Sequence, residues 1–188
     1  MSKILVFTAT YNEIKNVEEL IIKIKKNCCT ADILIVDDNS PDGTGILLKN
    51  KELEDDKLKV IVRSGKLGLD TAHKFAYEYA LSNNYDYLIT MDADHSHNPS
   101  EIPNFLKIIP NNDFILGSRY MSGGKNKLSL FRFVLSFCGN KFIKNVLAID
   151  CTEFTSSFRA FNIKKMKNFH LNMIKSKGYS FFMETIYQ

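Results

Sequence analysis

With 188 residues, 45% of them apolar and 24% charged, the chain has the make-up of one folded domain and lies outside the disordered and fibrous classes. The formal charge of +4 is a mild surplus, compatible with phosphate or a membrane surface but not decisive by itself, and no nucleic-acid partner is expected. Cys28, Cys29, Cys138 and Cys151 show neither a C-x-x-C pair nor zinc spacing, so reduced thiols and a cytoplasmic setting are expected.

In chain order, short β-branched runs alternate with amphipathic stretches, the rhythm of a mostly parallel sheet flanked by helices. Strands are predicted at 4–8, 33–36, 59–62, 87–91 and 113–117. The opening apolar run, 4–9, is too brief for a secretory leader. A helix is predicted over 13–26, capped by Asn12, with Val17, Leu20, Ile21 and Ile24 on one face. Further helices are predicted after the turn 41–43 and at 69–82, 101–109, 130–147 and 181–187. The segment 128–149 is the best candidate for a membrane span, but Arg132, Asn140, Lys141 and Lys144 interrupt the roughly 18 apolar residues that a span needs. Within it, the mixture of aromatic and basic residues over 128–137 suits an interfacial helix, a core-facing helix, or both. In the combined reading Phe131 and Phe133 face lipid while Leu130, Val134 and Phe137 face the core. The chain stops inside a predicted helix, so 188 residues read as one domain truncated at its C-terminal end.

Polar residues gather where strands end, the place where open α/β sheets bind ligands. Asp92 and Asp94, two apart after the strand 87–91, project to one side and can engage one hard cation such as Mg2+ or Mn2+. His95 and His97 read as lining or capping that loop, since such a cation prefers oxygen. In the run DDNSPDGT, 37–44, a carboxylate can accept from a nucleobase or ribose, the plainer alternative being an Asx-rich turn. The loop 65–68, GKLG, brings Lys66 and backbone amides within reach of phosphate but lacks P-loop spacing. The absence of G-x-G-x-x-G argues against a dinucleotide enzyme.

Taken together, TYNE (10–13), VDDNSPDGT (36–44), GKLGL (65–69), MDADHSH (91–97), GSRY (117–120) and FTSSFR (154–159) resemble, in order, the motif series of dolichol-phosphate mannosyltransferases and their bacterial polyprenyl-phosphate glycosyltransferase relatives. The resemblance covers nearly the whole chain and implies the GT-A fold of family 2 glycosyltransferases. It implies a donor, GDP-mannose or a UDP-sugar, held by Thr10, Tyr11, Glu13, Asp37, Asp38 and Lys66. It also implies a divalent metal on Asp92, Asp94 and Ser96, an acceptor lipid phosphate on Arg119, Arg132 and Ser136, and Glu184 near the donor sugar. Two departures stand out: Ala9 replaces the family's usual Pro, and the relatives continue past this point into a segment with a basic residue. The expected activity is inverting transfer of a hexose to a polyprenyl phosphate by a peripheral protein on the cytoplasmic membrane face, with room for a separate membrane-anchoring partner. Transfer to a sugar hydroxyl, or a truncated nucleotide-sugar-binding module without catalysis, are the alternatives.

Overall fold

The computed structural model describes residues 2–121 and 130–188, excluding the side chains of Leu130 and Arg132. The strands are β1 (Ile4–Thr10), β2 (Asp32–Asp37), β3 (Leu58–Val62), β4 (Tyr87–Thr90), β5 (Phe114–Leu116) and β6 (Arg159–Asn162). The α-helices are α1 (Val17–Asn27), α2 (Thr44–Leu53), α3 (Leu69–Ser82), α4 (Ile102–Ile108), α5 (Leu130–Leu147) and α6 (Tyr179–Tyr187). The six strands form one sheet in the order β3-β2-β1-β4-β6-β5. Pairings among β1 to β4 are parallel, whereas β6 runs antiparallel to both β4 and β5.

The strand order sets the location of a ligand site. From β1 the chain first builds outward through β2 and β3, then returns to place β4 on the other side of β1. Such a reversal opens a crevice at the carboxyl ends of β1 and β4.

Because side chains alternate across a strand, one apolar run supplies both faces of the sheet. Ile4, Val6, Ile33 and Ile35 join Val17, Leu20 and Ile24 of α1, Leu48 of α2 and Phe105 of α4 in one core. Leu5, Phe7, Leu34 and Val36 point the other way, against Ala72, Ala76 and Tyr77 of α3 and Phe181 and Phe182 of α6. Each fully buried Leu, Ile or Phe contributes about 1.5–3 kcal/mol relative to exposure. Both faces are therefore covered, and the interior strands read as continuous apolar runs.

Three expectations are corrected. Helix α1 starts at Val17 after Asn16, not after Asn12; Asn12 instead takes a left-handed conformation, φ 63°, in the turn that leaves β1. Strand β6 was not anticipated, because its sequence, RAFN, contains a charge and an amide that elsewhere mark surface. All four of its residues are buried, with the Arg159 guanidinium bonded to the Ser156 and Phe182 carbonyls and lying against the Phe182 ring. Burial lowers its pKa to about 9. Lastly, Val134 and Phe137 of α5 are 50% and 47% exposed rather than core-facing, and Phe133, expected outward, packs against Tyr120. Phe131 faces outward as expected, at 78% exposure, and Leu130's side chain lies outside the described residues.

Candidate functional site

The loops that follow β1 and β2 are fastened to one another. The amides of Asn12, Glu13 and Ile14 donate to Ser40 Oγ, Thr44 Oγ1 and Asp42 Oδ2 at 3.0, 3.0 and 3.1 Å. Asp37, fully buried at the tip of β2, accepts from the Thr10 hydroxyl at 2.8 Å and from the Ser40 amide at 2.9 Å. Helix α2 approaches so closely that a Cβ at Gly45 would lie 2.9 Å from Asp37 Oδ2, a spacing that only glycine permits. The Glu13 carboxylate accepts from Asn16 Nδ2 at 2.7 Å.

Asp38 organises the next loop. It pairs with Arg63 through Nε and a terminal nitrogen, and its other oxygen accepts from the Leu67 and Gly68 amides at 3.1 and 3.3 Å. Arg63 also reaches the Gly68 carbonyl at 3.0 Å. The carboxylate is thereby consumed in shaping the loop 65–68, and Gly68, φ 99°, accepts the required turn because it lacks a Cβ. Lys66 from this loop lies over the Tyr11 ring, 4.1 Å from its centroid, so a cation and an aromatic face meet above the β1 tip.

At the end of β4 the Asp92 amide donates to His97 Nδ1 at 2.9 Å, and the Ser157 hydroxyl donates to Asp92 Oδ1 at 2.5 Å. His97 Nδ1 also lies 3.6 Å from Asp92 Oδ2. A nitrogen that accepts from an amide carries no proton, so this approach is not an ion pair. Burial lowers the His97 pKa, outweighing the Asp92 and Asp94 charges that would raise it. At Asp94, desolvation alone would favour the neutral acid, but hydrogen bonds from Ser96 carry its pKa below the usual value. Its Oδ1 accepts the Ser96 amide at 2.9 Å, which makes Ser96 a loop-shaping partner of Asp94. His95 is left-handed, φ 59°, with Nε2 3.3 Å from Glu19.

Arg119, after β5, donates from Nε to Glu153 at 2.9 Å, and Glu153 is fully buried. Among the described residues no hydrogen bond engages the two terminal nitrogens of Arg119, so the fork is anchored at one edge and open at the other. The Ser157 hydroxyl reaches Asp92, the Phe158 ring stacks on His97, and the Gly117 amide at the end of β5 donates to the Phe158 carbonyl at 2.8 Å, which gathers the tips of β4 and β5 around the segment preceding β6. Ser136 of α5 accepts from the Tyr120 hydroxyl at 2.6 Å, tying that helix to the 117–120 loop. Glu184 accepts from the Lys175 and Ser176 amides at 3.2 and 2.8 Å and lines a cavity of about 350 Å3 between α5 and α6 with Phe142, Val146, Met183 and Tyr187. The Arg132 side chain lies outside the described residues.

Among the described residues no group of three His, Cys, Asp or Glu side chains is placed to enclose a metal by itself. The chemistry at β4 nevertheless suits one: Asp92 and Asp94 offer hard oxygen donors, and Mg2+-like ions commonly take one or two carboxylates and complete their shell with phosphate oxygens. Arg63, Tyr120, Glu153 and Ser157 were not singled out from the sequence. Tyr120 and Ser157 lie within the quoted motifs 117–120 and 154–159 without a role of their own, and Arg63 carried a local signal in standing directly after an apolar strand and before a Gly-rich loop.

Residues 5–169 match the family described as Glycosyl transferase family 2. An undecaprenyl-phosphate mannosyltransferase of Micrococcus luteus is 33% identical over 180 residues, covering 95% of this chain and 74% of that protein. A polyprenol monophosphomannose synthase of Mycolicibacterium smegmatis is 35% identical over 180 residues, covering 94% and 68%. Among solved structures, a Mycobacterium tuberculosis glucosyl-3-phosphoglycerate synthase with Mn2+ and UDP superposes with a TM-score of 0.62 at 17% identity, over 97% of this chain and 63% of that one. A Pyrobaculum calidifontis mannosyltransferase with GDP-Man and Mn2+ gives 0.55 at 18% identity, over 88% and 46%. This chain thus spans less than two thirds of either solved protein. The fold is GT-A, the expected fold class, and the strand-tip motifs fall within the matched region. The chain belongs to glycosyl transferase family 2.

Proposed function

We propose that the chain transfers a hexose from a nucleoside-diphosphate sugar to a polyprenyl phosphate, with inversion at the anomeric carbon. The observation that carries this reading is the gathering of strand ends that sets Asp92 and Asp94 after β4, Asp92 being held by Ser157 and His97, together with a half-anchored Arg119 after β5, held by Glu153. Two carboxylates suited to a cation and its diphosphate thus stand beside a guanidinium suited to a second phosphate. The names of the two polyprenyl-phosphate relatives support the same chemistry.

In this reading the donor lies over the β1 and β4 tips. Its base and ribose meet Tyr11 and the loop shaped by Asp38 and Arg63, while Thr10, Asp37 and Glu13 keep that floor rigid and Lys66 neutralises phosphate. Asp92 and Asp94 would hold Mg2+ or Mn2+, whose bound form supplies Lewis-acid stabilisation of the departing diphosphate. Arg119, through its open nitrogens, holds and orients the attacking phosphate by charge-assisted hydrogen bonds, with Arg132 and Ser136 assigned to the same group. A phosphate monoester is already anionic near neutral pH, so no general base is needed. Glu184 fits a base poorly, because both of its oxygens already accept backbone amides, from Lys175 and Ser176; that weighs against a hydroxyl acceptor.

Among the described residues no helix is long and apolar enough to cross a membrane. The exposed Phe131, Leu135, Phe142 and Val146 of α5 suit a helix lying at the cytoplasmic membrane surface beside its lipid substrate. Calorimetric titration of GDP and UDP, each with and without Mn2+, followed by transfer from the matching labelled donor to a polyprenyl phosphate, tests the assignment. Metal-dependent binding of one nucleotide with transfer to lipid is expected; binding of neither sinks it.

A further inference from the structure

The segment 156–158 reaches the β4 tip at two points. The Ser157 hydroxyl donates to Asp92 Oδ1, and the Phe158 ring stacks on His97 with centroids 4.9 Å apart and planes 13° from parallel. That ring in turn holds His97 so that Nδ1 accepts the Asp92 amide at 2.9 Å. The segment itself is anchored. Thr90 Oγ1 donates to the Ser157 carbonyl, Arg159 Nε donates to the Ser156 carbonyl at 2.7 Å, and Phe158 packs edge-on against Phe105. Ser157 is buried and the His97 side chain is 10% exposed, whereas the Asp92 side chain is 37% exposed.

One oxygen of Asp92 is therefore satisfied inside the protein. The other lies 3.6 Å from a His97 nitrogen whose lone pair is already turned to an amide, so it gains nothing from that contact and is the oxygen available to a ligand. We infer that Ser157 and His97 are positioning residues that hold Asp92 as a one-oxygen donor to the divalent cation, Ser157 through the carboxylate and His97 through the backbone. This inference rests on the metal assignment made above. Partners that orient a ligating carboxylate commonly change metal affinity by roughly 10- to 100-fold when removed.

Free Mn2+ followed by electron paramagnetic resonance, in the presence of whichever nucleotide the parent protein binds, tests it alongside metal-free nucleotide binding and Tm. Ser157→Ala is expected to weaken Mn2+ binding about 10-fold or more while metal-free nucleotide binding holds, and Ser157→Thr, which keeps the hydroxyl, is expected to restore it. His97→Asn, whose Oδ1 sits where Nδ1 does, is expected to stay near the parent value, whereas His97→Gln is expected to fall. The His97 pair decides the matter if Ser157→Ala fails to fold. Parent-like Mn2+ affinity in folded Ser157→Ala, or equal affinities in His97→Asn and His97→Gln, overturns the inference alone. A parent protein that takes up no Mn2+ overturns the metal assignment and the inference with it.

Discussion

The β1 to β4 half of the molecule and helix α5 are built on opposite principles. In the first, helices cover both faces of the sheet, and the loops at the strand tips are hydrogen-bonded to one another before any ligand arrives. In the second, among the described residues, no α5 side chain belongs to either core, and the helix is tied in by a few contacts to neighbouring loops: Tyr120 to Ser136 and to the Phe133 and Phe137 rings, and Asn140 to the Phe154 amide. A floor rigid before binding reduces the ordering cost of gripping a nucleotide. An apolar helix left outside the core keeps its surface for another apolar phase.

Core substitution should break this contrast most strongly. Leu20→Ala, at a fully buried position of α1, is expected to cost about 2–5 kcal/mol in urea denaturation. Asp94→Asn should leave stability nearly unchanged yet reduce transfer about 100-fold or more, read from initial rates at saturating metal; rates near the parent's would remove Asp94 from the site.

Acid provides a third probe. His73, packed among the Phe7, Phe181 and Phe182 rings, has its pKa lowered to about 3, chiefly by burial, from a usual 6.5. The unfolded chain binds a proton there before the native state does. The His73 contribution is thus fully present above about pH 6.5 and is lost as pH falls toward 3, with a slope of at most about 1.4 kcal/mol per pH unit. Urea midpoints between pH 5 and 7 should be flatter in His73→Phe than in the parent.

The exposed face of α5 provides the last probe. Phe131→Ser with Leu135→Ser is expected to shift stability by no more than about 0.5 kcal/mol per site while abolishing cosedimentation with anionic liposomes. A large loss of stability would show that α5 is a core helix after all.

Much of this was legible in the chain. Apolar periodicity located five strands and the helices of both layers, and the polar runs after β1, β2 and β4 marked the tips that face the crevice. Other features were hidden because their cause is nonlocal. Arg159 and Asn162 look like surface residues until β6 is inserted between β4 and β5. His73 is buried because Phe181 and Phe182 of α6 fold back over its ring on α3. Asp38 looks like a ligand carboxylate, yet Arg63, 25 positions away, occupies it, and Glu153 reveals its role only beside Arg119, 34 positions away.

The sequence alone determined the layer architecture and the types of chemistry at the strand tips, since periodicity and turn residues act over a few neighbours. Tertiary structure decided which carboxylates are turned inward and which outward, because that depends on hydrogen bonds between segments that meet only when the sheet closes.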